Sequence, residues 1–248
     1  MSAPRTVILR FMAVFAGGTM LSRVLGLVRS MLMAYLLPPL ARDVFTVAFK
    51  FPNMLRDLVG EGASNAASVP VFSEYNAKDD PEAYKRLIQS ALGAMTVVLG
   101  GVTLGGLAVL TVLPHLLEAL SVFTPTKPLH PEHAGLYTRM SLLLFPYIFF
   151  IGLAVFAMGP LFVAKRYGVS SWSPALLNVT LIAAIVIGAW VDQPFLALAA
   201  GVWAGGIAQL AVQFLALRKH CGVWTPRFDF FSDPGVRRIF ALLVPVLI

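Results

Sequence analysis

Four cations lie inside stretches that are otherwise rich in apolar residues: Arg23, Arg29, Lys50 and Arg56. Asp43, Asn53, Asp57 and Glu61 accompany them in the second of these stretches. A charge at the centre of a membrane helix costs roughly 2.5–3.5 kcal/mol on insertion scales. Four cations facing lipid would therefore cost on the order of 10 kcal/mol. They are expected to face a water-filled cavity or polar partners instead. Arginine carries a planar fork that matches phosphate bidentately and keeps its charge when desolvated. The chemistry these residues point to is anion binding, with Asp57 and Glu61 orienting the arginines or tuning the charge. A purely structural ion-pair network is the alternative, and the excess of cations over acids weighs against it. Catalysis needs a base or nucleophile beside the arginines. Only Glu61 and Ser22 qualify, without a catalytic motif around them, so an intramembrane enzyme is not expected.

No metal or cofactor site is expected either. His115, His130, His133 and His220 form no metal-binding spacing, and Cys221 is a lone cysteine. It falls in a segment read below as cytoplasmic, where a free thiol is expected.

The elements that must position these charges are membrane helices. Of the 248 residues, 58% are hydrophobic and 12% charged, against roughly 25% charged in a soluble domain. Mean hydropathy is +0.80. Disorder, a coiled coil and an ordinary soluble enzyme are excluded. The net charge of +7 (19 basic against 12 acidic residues) would suggest nucleic acid in a soluble chain. In a membrane protein it reflects basic cytoplasmic loops, so no nucleic acid is expected. No charged residue falls between Arg86 and Glu118, Arg139 and Lys165, Arg166 and Asp192, or Asp192 and Arg218. Each gap is long enough to cross about 30 Å of hydrocarbon.

The first two spans carry the charges. In the first, Gly18, Ser22, Gly26 and Ser30 recur every four residues, a small-residue stripe that lets a neighbouring helix approach closely. Arg23 and Arg29 flank the stripe. Arg23 is too deep to reach water easily, whereas Arg29, nearer the outer end, could snorkel. In the second, Asp43, Thr46, Lys50, Asn53, Asp57 and Glu61 fall within an arc of about 80° at helical spacing. Phe45, Phe49 and Leu55 lie opposite, and Arg56 flanks the polar arc. Pro52 and the Gly60–Gly62 step predict a bend. Such an amphipathic helix could lie on the membrane surface. Loop parity favours a bent spanning helix that lines a polar cavity.

The resulting reading is an all-α, polytopic membrane protein. A six-helix N-terminal lobe occupies residues 1–218, with spans at about 7–37, 43–75, 87–117, 139–164, 170–191 and 194–217. A cytoplasmic connection follows at 219–236, then the start of a seventh span at 237–248. Ten apolar residues after Arg238 are too few to cross a bilayer, so a fragment or half of a larger transporter is expected. With the N-terminus inside, twelve Lys and Arg fall on the inner side. These are Arg5, Arg10, Lys78, Lys85, Arg86, Lys165, Arg166, Arg218, Lys219, Arg227, Arg237 and Arg238. Only Arg42, Lys127 and Arg139 fall outside. That asymmetry sets the orientation.

At these residues the sequence resembles the MviN/MurJ family of lipid II flippases. Leu21-Ser-Arg-Val-Leu-Gly-Leu-Val-Arg29 is similar to the first-helix motif. Asp43-Val-Phe-Thr-Val-Ala-Phe-Lys-Phe-Pro-Asn-Met-Leu-Arg56, continuing through Glu61-Gly-Ala and Val69-Pro to Glu74-Tyr75, is similar to the second. Phe145-Pro-Tyr147 and Pro174-Ala-Leu-Leu-Asn178 look like motifs of the fourth and fifth helices. The resemblance implies a fold of the multidrug/oligosaccharidyl-lipid/polysaccharide exporter type, with two six-helix lobes around a central cavity and two further helices. It implies transport of lipid II from the inner to the outer leaflet of the bacterial inner membrane. The partners it implies are lipid II, membrane lipids and a C-terminal lobe. Arg23, Arg29 and Arg56 would contact substrate. Asp43 would sit at the outer end of helix two, with Lys50, Asn53, Asp57 and Glu61 as polar or gating residues of the cavity. The family often has Asp where Ser30 stands and a basic residue where Asp57 stands. A multidrug or other polysaccharide-lipid exporter is the alternative, and a drug exporter for cations would favour acidic cavity residues. A non-transporting assembly partner is a further alternative.

Overall fold

The computed structural model describes residues 3–58, 64–78, 80–121, 133–223, 225–230 and 233–247. Its helices are α1 (Ala3–Leu36), α2 (Pro39–Leu58), α3 (Ser64–Asn76), α4 (Pro81–Ser121), α5 (Ala134–Leu144), α6 (Tyr147–Phe156), α7 (Met158–Val163), α8 (Tyr167–Trp190), α9 (Pro194–Cys221) and α10 (Pro234–Leu247). There is no strand among the described residues.

Local chemistry explains many of the helix ends. Proline opens α2, α4, α9 and α10, where its fixed φ suits the first turn and its missing N–H costs nothing. Asp80 caps α4 by accepting from the Ala83 N–H at 2.9 Å. Asp233 caps α10 through the Gly235 N–H at 2.8 Å. Gly222 ends α9 with φ of 64°, a left-handed conformation that glycine adopts without strain. Pro146 separates α5 from α6. The predicted span at 139–164 falls on the consecutive short helices α5, α6 and α7.

Five helical stretches are long and apolar enough to cross a membrane among the described residues. They are Ala16–Leu36, Pro81–Val112, Ala134–Val163, Tyr167–Trp190 and Pro194–Cys221. Their outer faces are apolar: Met20, Leu104 and Trp190 are 70%, 70% and 92% exposed. Faces of that kind suit lipid rather than water. The chain is an all-helical, polytopic membrane protein. The predicted second span, 43–75, falls on α2 and α3, neither of which is among those five stretches; residues 59–63, with the glycine step and Glu61, lie outside the described residues.

Two apolar cores hold the bundle. One gathers Phe45, Phe49, Tyr147, Leu181 and Val202 where α2, α6, α8 and α9 meet. The other gathers Phe72, Leu92, Phe156, Leu217 and Ile239 from α3, α4, α6, α9 and α10. The α2 pattern appears as expected. Phe45 and Phe49 are buried while Asp43, Thr46 and Lys50 are exposed. Phe45 stacks on Phe49 at 5.3 Å, and Phe49 meets Tyr147 at 5.5 Å.

The small-residue stripe of α1 packs against α8. A Cβ added at Gly18 would stand 2.6 Å from the backbone oxygen of Ser171, and one at Gly26 would stand 3.9 Å from Asn178. Small residues also seat α9 on α8, with Gly201 against Ala184 and Gly205 against Leu177 and Thr180. Close backbone approach of this kind supplies the van der Waals packing that holds helices together in lipid. Ser30 instead bonds within α1, donating to the Gly26 carbonyl at 2.9 Å.

Candidate functional site: a cationic cavity between α1, α3 and α8

Helices α1, α2, α3, α6–α9 enclose a cavity of about 1020 Å³. Thr19, Ser22 and Arg23 line it from α1, and Arg56 from the end of α2. Asn65, Val69, Ser73 and Asn76 recur at helical spacing and give it one face of α3. The α8 wall carries Ser170, Ser171, Ser173 and Pro174; Gln209 reaches in from α9, and Ile151, Val155 and Met158 add an apolar side. The charged residues of this lining, among those described, are Arg23, Arg56 and Lys165. All three are cations.

Arg29 takes a different position from the snorkelling alternative. Its Nη1 donates to Oδ1 of Asn178 at 3.0 Å. The Asn178 Nδ2 donates in turn to the Ser22 carbonyl at 2.9 Å and to Ser22 Oγ at 3.3 Å. Helical side chains lean toward the N-terminus, so Arg29 reaches back into the bundle rather than out to the interface. Arg23 and Arg56 thus stand on the cavity wall, while Arg29 is not among its lining residues and is held by Asn178.

Asp43, Lys50 and Asn53 are not among the lining residues. Asp43 and Lys50 are exposed on α2, and Asn53 is half-buried. The Asp57 side chain and Glu61 lie outside the described residues, as does His130. Several contributors went unmarked in the sequence. Asn178 belonged to a motif but had no role; its signal is an amide in the middle of an uncharged span. Lys165 reads as a loop charge in the sequence, yet it lines the cavity with φ of 58°. A bulky residue in this left-handed region is uncommon. Asn65, Ser170, Ser173 and Gln209 carried no sequence signal beyond their polarity.

The fold and site define a class: a polytopic membrane protein lobe whose helices surround a cationic, partly hydroxyl-lined cavity. The family follows from comparison. The lipid II flippase MurJ family matches residues 32–248. A probable lipid II flippase MurJ of Haemophilus influenzae is 37% identical over 242 residues, covering 92% of this chain and 45% of its own length. The lipid II flippase MurJ of Burkholderia cenocepacia is 36% identical over 245 residues, covering 95% and 46%. A solved structure titled lipid II flippase MurJ, inward closed conformation, shares the fold with a TM-score of 0.70 at 22% identity, over 94% of this chain and 47% of that one. The chain belongs to the MurJ family. It spans about half the length of the curated relatives it matches.

Proposed function

We propose that this chain forms the N-terminal, substrate-binding lobe of a flippase that carries lipid II from the inner to the outer leaflet of a bacterial inner membrane. The pyrophosphate is held by Arg23 and Arg56, with Arg29 adding its charge from behind. The observation that carries this reading is the sign of the cavity: Arg23, Arg56 and Lys165 line it, with no carboxylate among its described lining residues. A site for cationic drugs needs the opposite sign, so the exporter alternative is less well supported. Charge-assisted hydrogen bonds are worth roughly 1.5–3 kcal/mol each, which favours an anionic group beside the two arginines.

The cavity extends down α3 to Asn76 and to Lys165 and Tyr167. Lys78 and Arg166 follow those positions closely in sequence, and Arg218 and Lys219 lie in the last turn of α9, which supports a cytoplasmic entrance and a cytoplasmic N-terminus. Transport would follow alternating access, with this lobe rocking against a second about the mid-membrane site. The lipid tail stays in the bilayer, and Asp43, Lys50, Asn53, Asp57 and Glu61 serve as polar or gating groups.

The test is complementation of bacteria depleted of their own lipid II flippase. The chain is joined to the C-terminal half of the Burkholderia relative, with and without Arg23→Ala or Arg56→Ala. Rescue by the unsubstituted protein, lost with either change at equal expression, is expected. Absence of rescue by a well-inserted protein overturns the flippase reading. Rescue that survives both changes removes the arginines from the mechanism.

A further inference from the structure

Helix α8 carries two tryptophans, Trp172 and Trp190, 18 residues apart. That spacing is five full helical turns, so both rings leave the helix on the same side, about 27 Å apart along its axis. Val179, Ala183 and Val186 lie with them in an arc of about 60° at helical spacing, and all five are exposed. Trp172 is 49% exposed and Trp190 92%. The stripe points away from the cavity, which Pro174 lines from the opposite side of the helix. No polar residue interrupts it between the two rings. Trp203 shows what a tryptophan needs in the middle of the bundle. Helix α9 runs back along α8, with Gly201 against Ala184 and Gly205 against Thr180 and Leu177, so Trp203 is level with the middle of the stripe. Its indole N–H donates to the Leu143 carbonyl at 2.8 Å, a bond that hydrocarbon cannot supply. Trp172 and Trp190 have no such bond among the described residues.

We propose that this face of α8 meets lipid acyl chains, and that Trp172 and Trp190 sit at the two headgroup boundaries of the bilayer. Tryptophan collects at such boundaries because its ring is apolar while its N–H finds water there. The separation of about 27 Å is close to the hydrocarbon thickness of about 30 Å. Charges stand just outside both ends, with Lys165 and Arg166 before Trp172 and Asp192 after Trp190. The two cations suit lipid phosphates at that level. Helix α1 gives an independent mark. It runs parallel to α8, with Gly18 at Ser171 and Gly26 at Asn178, which brings Tyr35 level with the last turn of α8. Tyr35 is 87% exposed, and its ring falls at the same boundary as Trp190. The same scale sets the depth of Arg29. It lies eleven residues beyond Gly18, about 16 Å from the Trp172 boundary, near the middle of the bilayer.

The test reads depth from tryptophan fluorescence. The chain joined to the C-terminal half of the Burkholderia relative is prepared with every tryptophan but one replaced by Phe, keeping Trp172, Trp190 or Trp203 in turn. Each form is reconstituted into phosphatidylcholine vesicles whose acyl chains carry bromine either near the headgroup or near the chain end. Trp172 and Trp190 should lose more emission to the shallow bromine, and Trp203 more to the deep one. A second measurement keeps all the tryptophans and so reads the face even where a Phe form fails to insert. A nitroxide attached at Val179→Cys, with Cys221→Ser, should collide more often with oxygen than with a water-soluble nickel chelate. Stronger quenching of Trp172 or Trp190 by the deep bromine overturns the boundary assignment. Quenching of neither by either lipid, with a nitroxide shielded from oxygen and nickel alike, puts protein on this face and overturns the proposal. A nitroxide that meets nickel more often than oxygen puts water there, with the same consequence.

Discussion

Arg29 on α1 and Asn178 on α8 are joined at 3.0 Å, and the Asn178 amide closes the link by donating to the Ser22 carbonyl at 2.9 Å. One side chain therefore both holds two helices together and fixes where a membrane-embedded cation points. The fit is chemically economical. An amide offers an acceptor to the guanidinium and donors to the backbone at once, which a carboxylate cannot do. It also brings no negative charge of its own to Arg29.

Asn178→Ala should loosen α1 from α8 and leave Arg29 without its acceptor. The expected loss is about 2 kcal/mol of stability, read as a lowered unfolding midpoint in detergent or nanodiscs. Asn178→Asp should separate the two roles. It keeps an acceptor for Arg29 but neutralises the charge, so stability should change less than in Asn178→Ala while pyrophosphate binding falls. Equal binding by Asn178→Asp and the unsubstituted protein would show that Arg29 acts only in packing.

Gly18 and Gly17 make a matched pair for the helix seam. A side chain at Gly18 meets the Ser171 backbone at 2.6 Å, whereas a Cβ at Gly17 meets nothing within 4 Å. Gly18→Val should force the helices apart and cost roughly 1–3 kcal/mol, the usual range for overpacking. Gly17→Ala should be neutral or slightly stabilising through helix propensity. Thermal unfolding of the two variants side by side decides the point, and indistinguishable midpoints would remove the seam as a source of stability.

Lys165 combines backbone strain with a charge in the cavity lining. Its φ of 58° costs a residue with a Cβ roughly 1–2 kcal/mol, which Lys165→Gly should largely recover. Lys165→Ala keeps the strain and loses the charge. If the ammonium assists the anionic substrate, both variants should bind it more weakly by a similar factor although only the glycine variant gains stability. Unchanged binding in both would confine Lys165 to the turn.

The segment after α9 is clamped to α4. The Arg227 N–H donates to the Gln89 carbonyl at 2.9 Å, and the Arg227 carbonyl lies where a Cβ on Gly93 would stand. Asp229 joins the clamp, receiving bonds from Arg227 Nε at 3.2 Å and from Ser90 Oγ at 3.3 Å. The Arg227 hydrogen bond holds the Asp229 carboxyl below its ordinary value of 3.8, opposed by a smaller effect of burial; the Arg227 charge, a backbone hydrogen bond and Ser90 add to the lowering. Because the folded value lies below the unfolded one, the contribution is complete above about pH 4 and is lost as pH falls through the folded value. Hydrogen exchange of residues 225–230 should therefore be pH-independent in protection above about pH 5 and weaken under stronger acid. Asp229→Asn should lower protection already at neutral pH. Protection that is unchanged by Asp229→Asn would take the carboxylate out of the clamp.

What the sequence determined by itself is what repeats at helical spacing or shows as an absence of charge. The uncharged stretches after Arg86, Arg139, Arg166 and Asp192 mark apolar helices because a bilayer tolerates few charges over that length. The Gly18–Gly26 stripe announced close packing, and the arc holding Asp43, Thr46 and Lys50 opposite Phe45 and Phe49 announced an amphipathic helix. Each of these signals sits within one element. The tertiary structure decided which elements meet. Arg29 and Asn178 are 149 positions apart, so no local pattern relates them, and the direction of Arg29 follows from the lean of helical side chains toward a partner on another helix. Lys165 reads as a loop cation until a left-handed turn brings it to the cavity wall. Ser170 and Ser173 read as ordinary polar residues of an apolar span until the fold buries them in the lining of the cavity.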